Sequence, residues 1–120
     1  MFKRIGIIAA VLLIVAAGFA ITAEDLGVKI YPGATKDDQW SRAQAEIMKA
    51  TGGGIGVCYR TKDPVSKVAA FYQNDGFKIS VGSVTPDGAM LQKGDNIGLT
   101  LKNMKSLDNT NDTRICIGKK

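Results

Sequence analysis

Short segments in which apolar and polar residues alternate fill most of the second half of this 120-residue chain. Turn signals such as Thr85-Pro86-Asp87-Gly88 and Gly94-Asp95 separate these segments. Alternation with a period of two is typical of strands that bury one face, and short connections join antiparallel neighbours. The pattern therefore predicts an antiparallel meander. Its predicted inward residues are Phe77, Ile79, Val81, Ile97, Leu99, Leu101, Ile115 and Ile117.

A first helix is predicted in the segment DDQWSRAQAEIMKA, where apolar residues recur at helical spacing. Trp40, Ala43 and Ile47 form its predicted buried stripe. Asp37 or Asp38 can cap its start, because a carboxylate there accepts hydrogen bonds from the free N–H groups of the first turn. The helix is predicted to end where the glycine-rich segment TGGGIG begins.

The glycines of TGGGIG raise the question of a phosphate-binding loop. Such loops follow a strand and open a helix, so that the helix N–H groups meet the phosphate. Here Gly52, Gly53, Gly54 and Gly56 come after a helix and before a strand, which is the reverse order. We therefore interpret the segment as a flexible link into the strand, and we expect no nucleotide and no other cofactor.

A second helix is predicted to begin at Pro64, where the missing N–H costs nothing, with Thr61 or Asp63 as its cap. Gly76 is placed to end it. Its apolar stripe consists of Val65, Val68, Ala69 and Tyr72, with Phe71 beside it.

These segments together predict an α+β fold. We expect a single antiparallel sheet of about five strands, in the order β-α-β-β-β-β, with one or two helices on one face. An N-terminal apolar signal helix is expected to precede this domain.

The chain opens with MFKR, and an uncharged run of 19 residues follows before the acidic Glu24 and Asp25. This is the pattern of a secretory signal, so residues 1–23 are predicted to be a signal peptide and residues 24–120 a single exported domain. Small residues make Ala20 and Ala23 the two candidate cleavage positions. The alternative is an uncleaved membrane anchor, because the run is just long enough to cross a hydrocarbon core.

Cys58 and Cys116 are the only two cysteines of the chain, and both lie on the strand face opposite the apolar one. If the first and last long strands are neighbours, the two thiols share a face and can form a structural disulfide. That pairing would place Arg60 opposite Arg114, a repulsion that solvent would screen. Two free buried thiols and a redox role are the alternatives.

No histidine is present, which removes the commonest general base and the usual catalytic triads. Asp108, Asn109, Asn111 and Asp112 suggest a calcium loop, but the glycine and glutamate that an EF-hand requires are missing. We therefore expect a polar loop there, no metal site and no catalytic residue.

The net charge of +5 falls to +3 when Lys3 and Arg4 leave with the signal. The remaining cations are spread along the chain, whereas a nucleic-acid binder shows a clustered basic face. No nucleic-acid partner is expected, and contact with the membrane is expected only through an uncleaved N-terminal segment.

The turn Tyr31-Pro32-Gly33-Ala34 and the segment YRTKDPVSKVAAFYQNDGF carry a resemblance to a loose group of small exported bacterial domains of unknown function. In these, a Y-P-G-A turn precedes a strand ending in Thr-x-Asp and a helix ending in Phe-Tyr. The resemblance implies export and an α+β fold, and no catalytic residue. The matching residues are Tyr31, Pro32, Gly33, Ala34, Thr61, Asp63, Val68, Phe71 and Tyr72.

The sequence favours an exported, non-enzymatic domain, periplasmic or secreted, that binds an unknown envelope protein or ligand. Trp40 is the aromatic residue considered for lining a surface groove. Two alternatives stay open: a small periplasmic enzyme that uses Asp, Lys, Ser or Tyr chemistry, and a domain anchored in the inner membrane with the fold outside the cytoplasm.

Overall fold

The structure is a computed structural model that describes residues 21–120. The predicted signal helix lies outside the described residues, apart from positions 21–23. The regular elements are a short 3-10 helix (Glu24–Leu26), β1 (Thr35–Lys36), α1 (Asp38–Ala50), β2 (Ile55–Thr61), α2 (Val65–Asn74), β3 (Lys78–Val81), β4 (Gly88–Lys93), β5 (Ile97–Asn103), α3 (Lys105–Asp108) and β6 (Thr113–Lys119).

The described residues form an α+β fold with a single antiparallel sheet, as predicted. The sheet has six strands in the order β1-β2-β6-β5-β4-β3, rather than about five. The additional strand, β1, has only two residues, so it is too short to show alternation in the sequence. The first long strand, β2, lies beside the last strand, β6.

Helix α2 covers one face of the sheet, and the hydrophobic core lies between them. Its predicted stripe is confirmed, because Val65, Val68, Ala69 and Tyr72 are all buried. The strands contribute the predicted residues Leu99, Leu101, Ile115 and Ile117, which are each 1% exposed or less. The Tyr72 hydroxyl donates a hydrogen bond to the backbone oxygen of Lys29, so this buried polar atom has a partner.

Strand β3 departs from the predicted inward pattern. Phe77 is buried just before the strand, but Ile79 is 41% exposed and Val81 is 65% exposed. The pairing register between β3 and β4 shifts between these two residues, and Val81 lies opposite Met90. A shift of one residue turns a side chain to the other face of a sheet, so the inward assignment of Val81 is wrong.

Helix α1 lies on the opposite face of the sheet from α2, so the prediction of helices on one face is wrong. The Ser41 hydroxyl of α1 is bonded to the backbone of Cys58. Val57 and Tyr59, the neighbours of Cys58, pack in the core with α2. Successive residues of a strand point to opposite faces, so the two helices sandwich the sheet at β2.

The buried side of α1 is also not the predicted one. The predicted stripe was Trp40, Ala43 and Ile47, of which the first two are half-buried and Ile47 is 55% exposed. Instead, the side chains of Gln44 and Met48 lie against Gly56 of β2 and Gly118 of β6. These two glycines have no side chains, so the helix can rest directly on the strands.

Helix α1 also closes the edge of β2 beyond the end of β1. The Asp37 N–H donates to the Cys58 carbonyl oxygen at 2.9 Å. The Ser41 hydroxyl accepts from the Cys58 N–H at 2.8 Å and donates to the Cys58 carbonyl oxygen at 3.1 Å. The N–H and C=O groups of Cys58, which lie beyond the end of β1, are therefore hydrogen-bonded by α1 and its N-cap residue.

Both ends of α1 have specific bonds. Asp37 is the N-cap, and its carboxylate accepts from the Trp40 N–H at 3.0 Å. At the other end Gly52 has φ 118°, and the Gly53 N–H donates to the Met48 carbonyl oxygen. The glycines interpreted as a flexible link therefore include the hydrogen-bonded turn that ends the helix.

Helix α2 begins without a side-chain cap. Pro64 occupies the N-cap position, so the predicted caps Thr61 and Asp63 are not used. At its end the predicted role of Gly76 is confirmed. The Gly76 N–H donates to Gln73 and the Phe77 N–H donates to Tyr72, which is the Schellman pattern.

The residues just before the predicted boundary at residue 24 pack with the described domain. Ala23 and Leu26 are fully buried, and Ile21 packs against the core. Residues 21–23, assigned above to the signal, thus form part of the described domain.

Candidate functional site

Cys58 and Cys116 form a disulfide, which confirms the predicted pairing. The two residues are directly opposite in the β2–β6 ladder, with their Cα atoms 4.1 Å apart. The Cys58 Sγ lies 3.3 Å from the Trp40 carbonyl oxygen, a contact rather than a hydrogen bond because a disulfide sulfur has no proton. Both cysteines are buried under α1, so the bond is a structural crosslink.

Arg60 lies opposite Arg114, as predicted, but carboxylates rather than solvent surround its guanidinium. Its Nε donates to Asp112 at 2.9 Å, and one Nη lies 3.5 Å from the Asp37 carboxylate. Hydrogen bonding to Asp108 is the largest of the effects that raise the pKa of Arg60. We call these residues the Arg60 cluster: Asp37, Arg60, Asp108, Thr110 and Asp112.

Arg114 is held differently, over the face of Trp40. The centre of its guanidinium lies 4.1 Å from the ring centroid. Burial lowers the pKa of Arg114, with the nearby Arg60 acting in the same direction and Asp37 opposing both. This guanidinium occupies one face of the Trp40 ring, so a ligand could not stack on that face without displacing Arg114.

Two acidic residues of the segment that suggested a calcium loop belong to the Arg60 cluster. The carboxylates of Asp108 and Asp112 both bind the guanidinium of Arg60, which already supplies a positive charge. Within residues 21–120, no group of three or more cysteine or acidic side chains is arranged to hold a metal ion.

The turn Tyr31–Ala34 comes together with the start and end of α2. The Ala34 N–H donates to the Tyr31 carbonyl oxygen at 3.0 Å, and Gly33 has φ 83°, as a type II turn requires. The Tyr31 hydroxyl donates to Asp63, and its ring packs edge-on against Phe71. Burial first, and then Asp63, raise the pKa of Tyr31 to about 12.

The half of the sheet that α1 leaves uncovered forms an open groove of about 260 Å³. Helix α1 rests on β2 and β6, and no helix of the described part of the chain, residues 21–120, lies over the same face of β5, β4 and β3. We call this surface the open groove and define it by Gln44, Met48, Ser80, Met90, Gln92 and Thr100.

The open groove combines amides and hydroxyls with exposed apolar groups, and two charged residues, Asp95 and Lys120, also line it. Met90 is 48% exposed, and Val81, its partner across β3 and β4, is 65% exposed. A Cβ built at Gly98, within the groove, meets nothing within 4 Å. The surface can therefore receive further groups without moving its own backbone.

A second cavity, of about 370 Å³, lies beside the Tyr31–Ala34 turn. It is larger, but three of the four charged residues that line it, all except Lys62, already have polar or charged partners. Arg60 binds Asp112, and Asp63 binds Tyr31 and Lys67. A ligand there would have to displace these bonds, so the open groove is the better candidate site.

The groups with shifted pKa values lie outside the open groove. They are Tyr31, Tyr59, Arg60, Tyr72, Asp108 and Arg114. Perturbed pKa values mark candidate catalytic groups when they occur within a cleft. Among residues 21–120, no group with a shifted pKa lies in the groove to mark it as an acid–base site.

Sequence reasoning did not identify the groove. A signal was present, since Met90, Gln92 and Thr100 occupy the outward positions of their alternating strands. Met90 in particular is a large apolar residue at a position expected to face solvent. How much of this face α1 would cover depends on packing, which alternation does not describe.

No protein-family model matches the chain, and neither the curated proteins nor the solved structures compared with it gave a match. Among residues 21–120, no helix is both long enough and apolar enough to cross a membrane.

Proposed function

We propose that the protein is an exported, non-enzymatic domain that binds a polypeptide segment of another cell-envelope protein in the open groove. The observation that carries this proposal is the half of the sheet that no helix of residues 21–120 covers, where Met90 lines the groove and Val81, opposite it on β3, is also exposed.

The chemistry of the groove favours a polypeptide as the ligand. Asp95 and Lys120 line the groove together with amides and hydroxyls, which come from Gln44, Gln92, Ser80 and Thr100. These amides and hydroxyls both donate and accept, so they match the N–H and C=O groups of a peptide backbone. Methionine adapts its shape to different side chains and is common at peptide-binding surfaces.

Export is supported by two independent features. The N-terminal sequence has the charge and size pattern of a secretory signal. The buried Cys58–Cys116 disulfide is consistent with an oxidising compartment, because cytosolic proteins of this size rarely keep such bonds. The periplasm is the compartment that we propose, with the membrane-anchored form as the alternative.

The alternative function, that of a small enzyme, requires a different kind of site. It needs an Asp, Lys, Ser or Tyr of shifted pKa inside a pocket that a substrate can enter. Tyr31 has such a shift, but its hydroxyl is bonded to Asp63 and its ring is buried. Binding is therefore the function that the geometry favours.

Site-specific photocrosslinking in the producing cell tests the proposal. A photoreactive amino acid replaces Met90 or Thr100 in the groove, and a third variant carries it at Ser66, an exposed position on α2. We expect irradiation to give one adduct of defined mass from both groove positions and none from Ser66.

A second substitution makes the result specific to the groove. Met90→Glu places a charge among its apolar groups and should abolish the adduct formed from Thr100. Adducts of equal yield at Ser66, or a Thr100 adduct that Met90→Glu leaves unchanged, would count against the open groove as the binding surface.

A further inference from the structure

The first described residues form an ordered part of the fold, which bears on where the exported chain is processed. The sequence offers two cleavage positions, after Ala20 and after Ala23. The following inference rests on the export proposed above.

Ala23 is built into the core. It is 0% exposed, and its N–H donates to the hydroxyl of Tyr59 at 2.9 Å. Its carbonyl oxygen accepts from the N–H groups of Leu26 and Val28, at 3.0 and 2.9 Å. Leu26 and Val28 are themselves buried, at 0% and 1% exposure. A cut after Ala23 would remove all three hydrogen bonds and one core side chain.

Thr22 forms the start of the same turn. Its N–H donates to the Asp25 carboxylate at 2.9 Å, and its hydroxyl accepts from the Asp25 N–H at 3.3 Å. This reciprocal pair has the form of a capping box, which satisfies backbone donors at the start of a helical turn. Ile21, just before it, packs partly buried against the core.

A cut after Ala20 keeps every one of these contacts. It also suits the residues that a signal peptidase reads, because small side chains are required at the last and third-last positions of the signal. Gly18 and Ala20 are both small, whereas a cut after Ala23 would place the large Ile21 at the third-last position.

We infer that the signal is removed by hydrolysis of the Ala20–Ile21 peptide bond, so that the mature domain begins at Ile21. One water is added across the amide: Ala20 keeps the carboxyl group, and Ile21 gains a free amine. Residues 21–23 then serve as the first segment of the folded domain rather than as the end of the signal.

Intact-mass analysis of the full-length gene product, recovered from envelope fractions of the producing bacterium, tests this inference. We expect a chain that begins at Ile21 and is 2 Da heavier after reduction of the disulfide. A chain beginning at Glu24, or one that keeps residues 1–20, would overturn it.

A deletion variant tests the structural reason directly. Removing residues 21–23 from the full-length gene joins the intact signal to Glu24. We expect its mature domain to be degraded by an added protease about tenfold faster than the wild type, because buried hydrogen bonds are lost. Glu24→Gln, at an exposed position of the same turn, is the matched control and should behave as wild type.

Unchanged resistance of the deletion variant would also overturn the inference. These outcomes are separate from the binding proposal, because crosslinking at Met90 does not depend on which residue is the first. A full-length chain in the membrane fraction would refute cleavage and leave the groove to be tested in the anchored form.

Discussion

Arg60 joins three parts of the chain through one side chain. It binds Asp37 at the start of α1 and Asp108, Thr110 and Asp112 in the connection between β5 and β6. Its side chain is only 23% exposed, so these bonds are partly protected from water. The planar guanidinium presents five N–H donors in a fixed fork, whereas an ammonium group has three donors on a single nitrogen.

Replacing Arg60 by lysine is therefore expected to destabilise the domain, although the charge is kept. We expect the free energy of unfolding in urea to fall by about 2 kcal/mol, the typical contribution of hydrogen bonds to charged groups. Lys102→Ala is the control, since its partner Asp87 is 73% exposed. That change should alter stability by less than about 0.5 kcal/mol, and equal losses in the two variants would contradict the special role of Arg60.

Asp108 should make the stability depend on acid pH. Its pKa lies below the ordinary value of 3.8, first because Thr110 donates to it and then because Arg60 does. A lowered folded pKa means that the stabilisation is complete above the unfolded pKa and disappears as pH falls through the folded one. We expect urea unfolding to show a decline below about pH 4 that is smaller in Asp108→Asn, and an identical decline would refute this assignment.

At the scale of elements, the glycines of the strands determine where α1 can rest. A Cβ built at Gly56 would lie 2.5 Å from Gln44 Cγ, which is closer than real contacts allow. Gly98 lies on the same face of the sheet, and a Cβ there meets nothing within 4 Å. Gly56 therefore lies in the half of the face that α1 covers, and Gly98 lies in the open groove.

Gly56→Ala should lift α1 from the sheet and lower stability by about 1–3 kcal/mol, the usual cost of overpacking. Gly98→Ala is the matched control and should be close to neutral. Thermal and urea unfolding of the two variants make the comparison. A Gly98→Ala loss as large as that of Gly56→Ala would mean that the groove is closed in solution.

The strand pattern predicted the sheet better than it predicted the helices. The alternation placed Cys58 and Cys116 on the same kind of strand face, so a disulfide was predicted on the condition that the two strands are neighbours, and the structure shows that they are. The covered side of α1 could not be found in this way, because its sheet-facing side includes the polar Ser41 and Gln44. Apolar spacing identifies a helix face only when hydrophobic burial places that helix.

At the scale of the whole molecule, the disulfide links the first long strand to the last. Cys58 and Cys116 are 58 residues apart in sequence. In the chain-entropy model, a crosslink of this span lowers the entropy of the unfolded chain and so raises the free energy of unfolding by about 4 kcal/mol. A domain of this size has a total stability of about 5–15 kcal/mol. The crosslink is therefore a large fraction of what keeps the domain folded.

Reduction is expected to be slow in the native state and to weaken the domain once it occurs. Cys58 and Cys116 are 0% and 5% exposed, so a reductant reaches them mainly after local opening. Urea unfolding with and without reductant, together with thiol counting by mass, gives both quantities. Rapid reduction without urea, or equal stability of the reduced and oxidised forms, would contradict a structural role.

The N-terminal boundary shows the limit of composition as a guide. The uncharged run continues to Ala23, so composition assigns residues 21–23 to the signal. The structure places Ala23 against Tyr59, a contact between residues 36 positions apart. No local sequence pattern predicts such a contact, because alanine is compatible both with a signal peptide and with a hydrophobic core.

The closed edge at Cys58 has a consequence for how copies of this domain can assemble. With Asp37 and Ser41 occupying its backbone groups, that side of the sheet offers a neighbouring chain only the two-residue strand β1. Strand β3 is the remaining edge, and its four residues are all exposed. In the sheet that residues 21–120 form, pairing between two β3 edges would leave each molecule only the two-residue β1 as its other edge. We therefore expect association by this route to stop at two molecules rather than to continue into filaments.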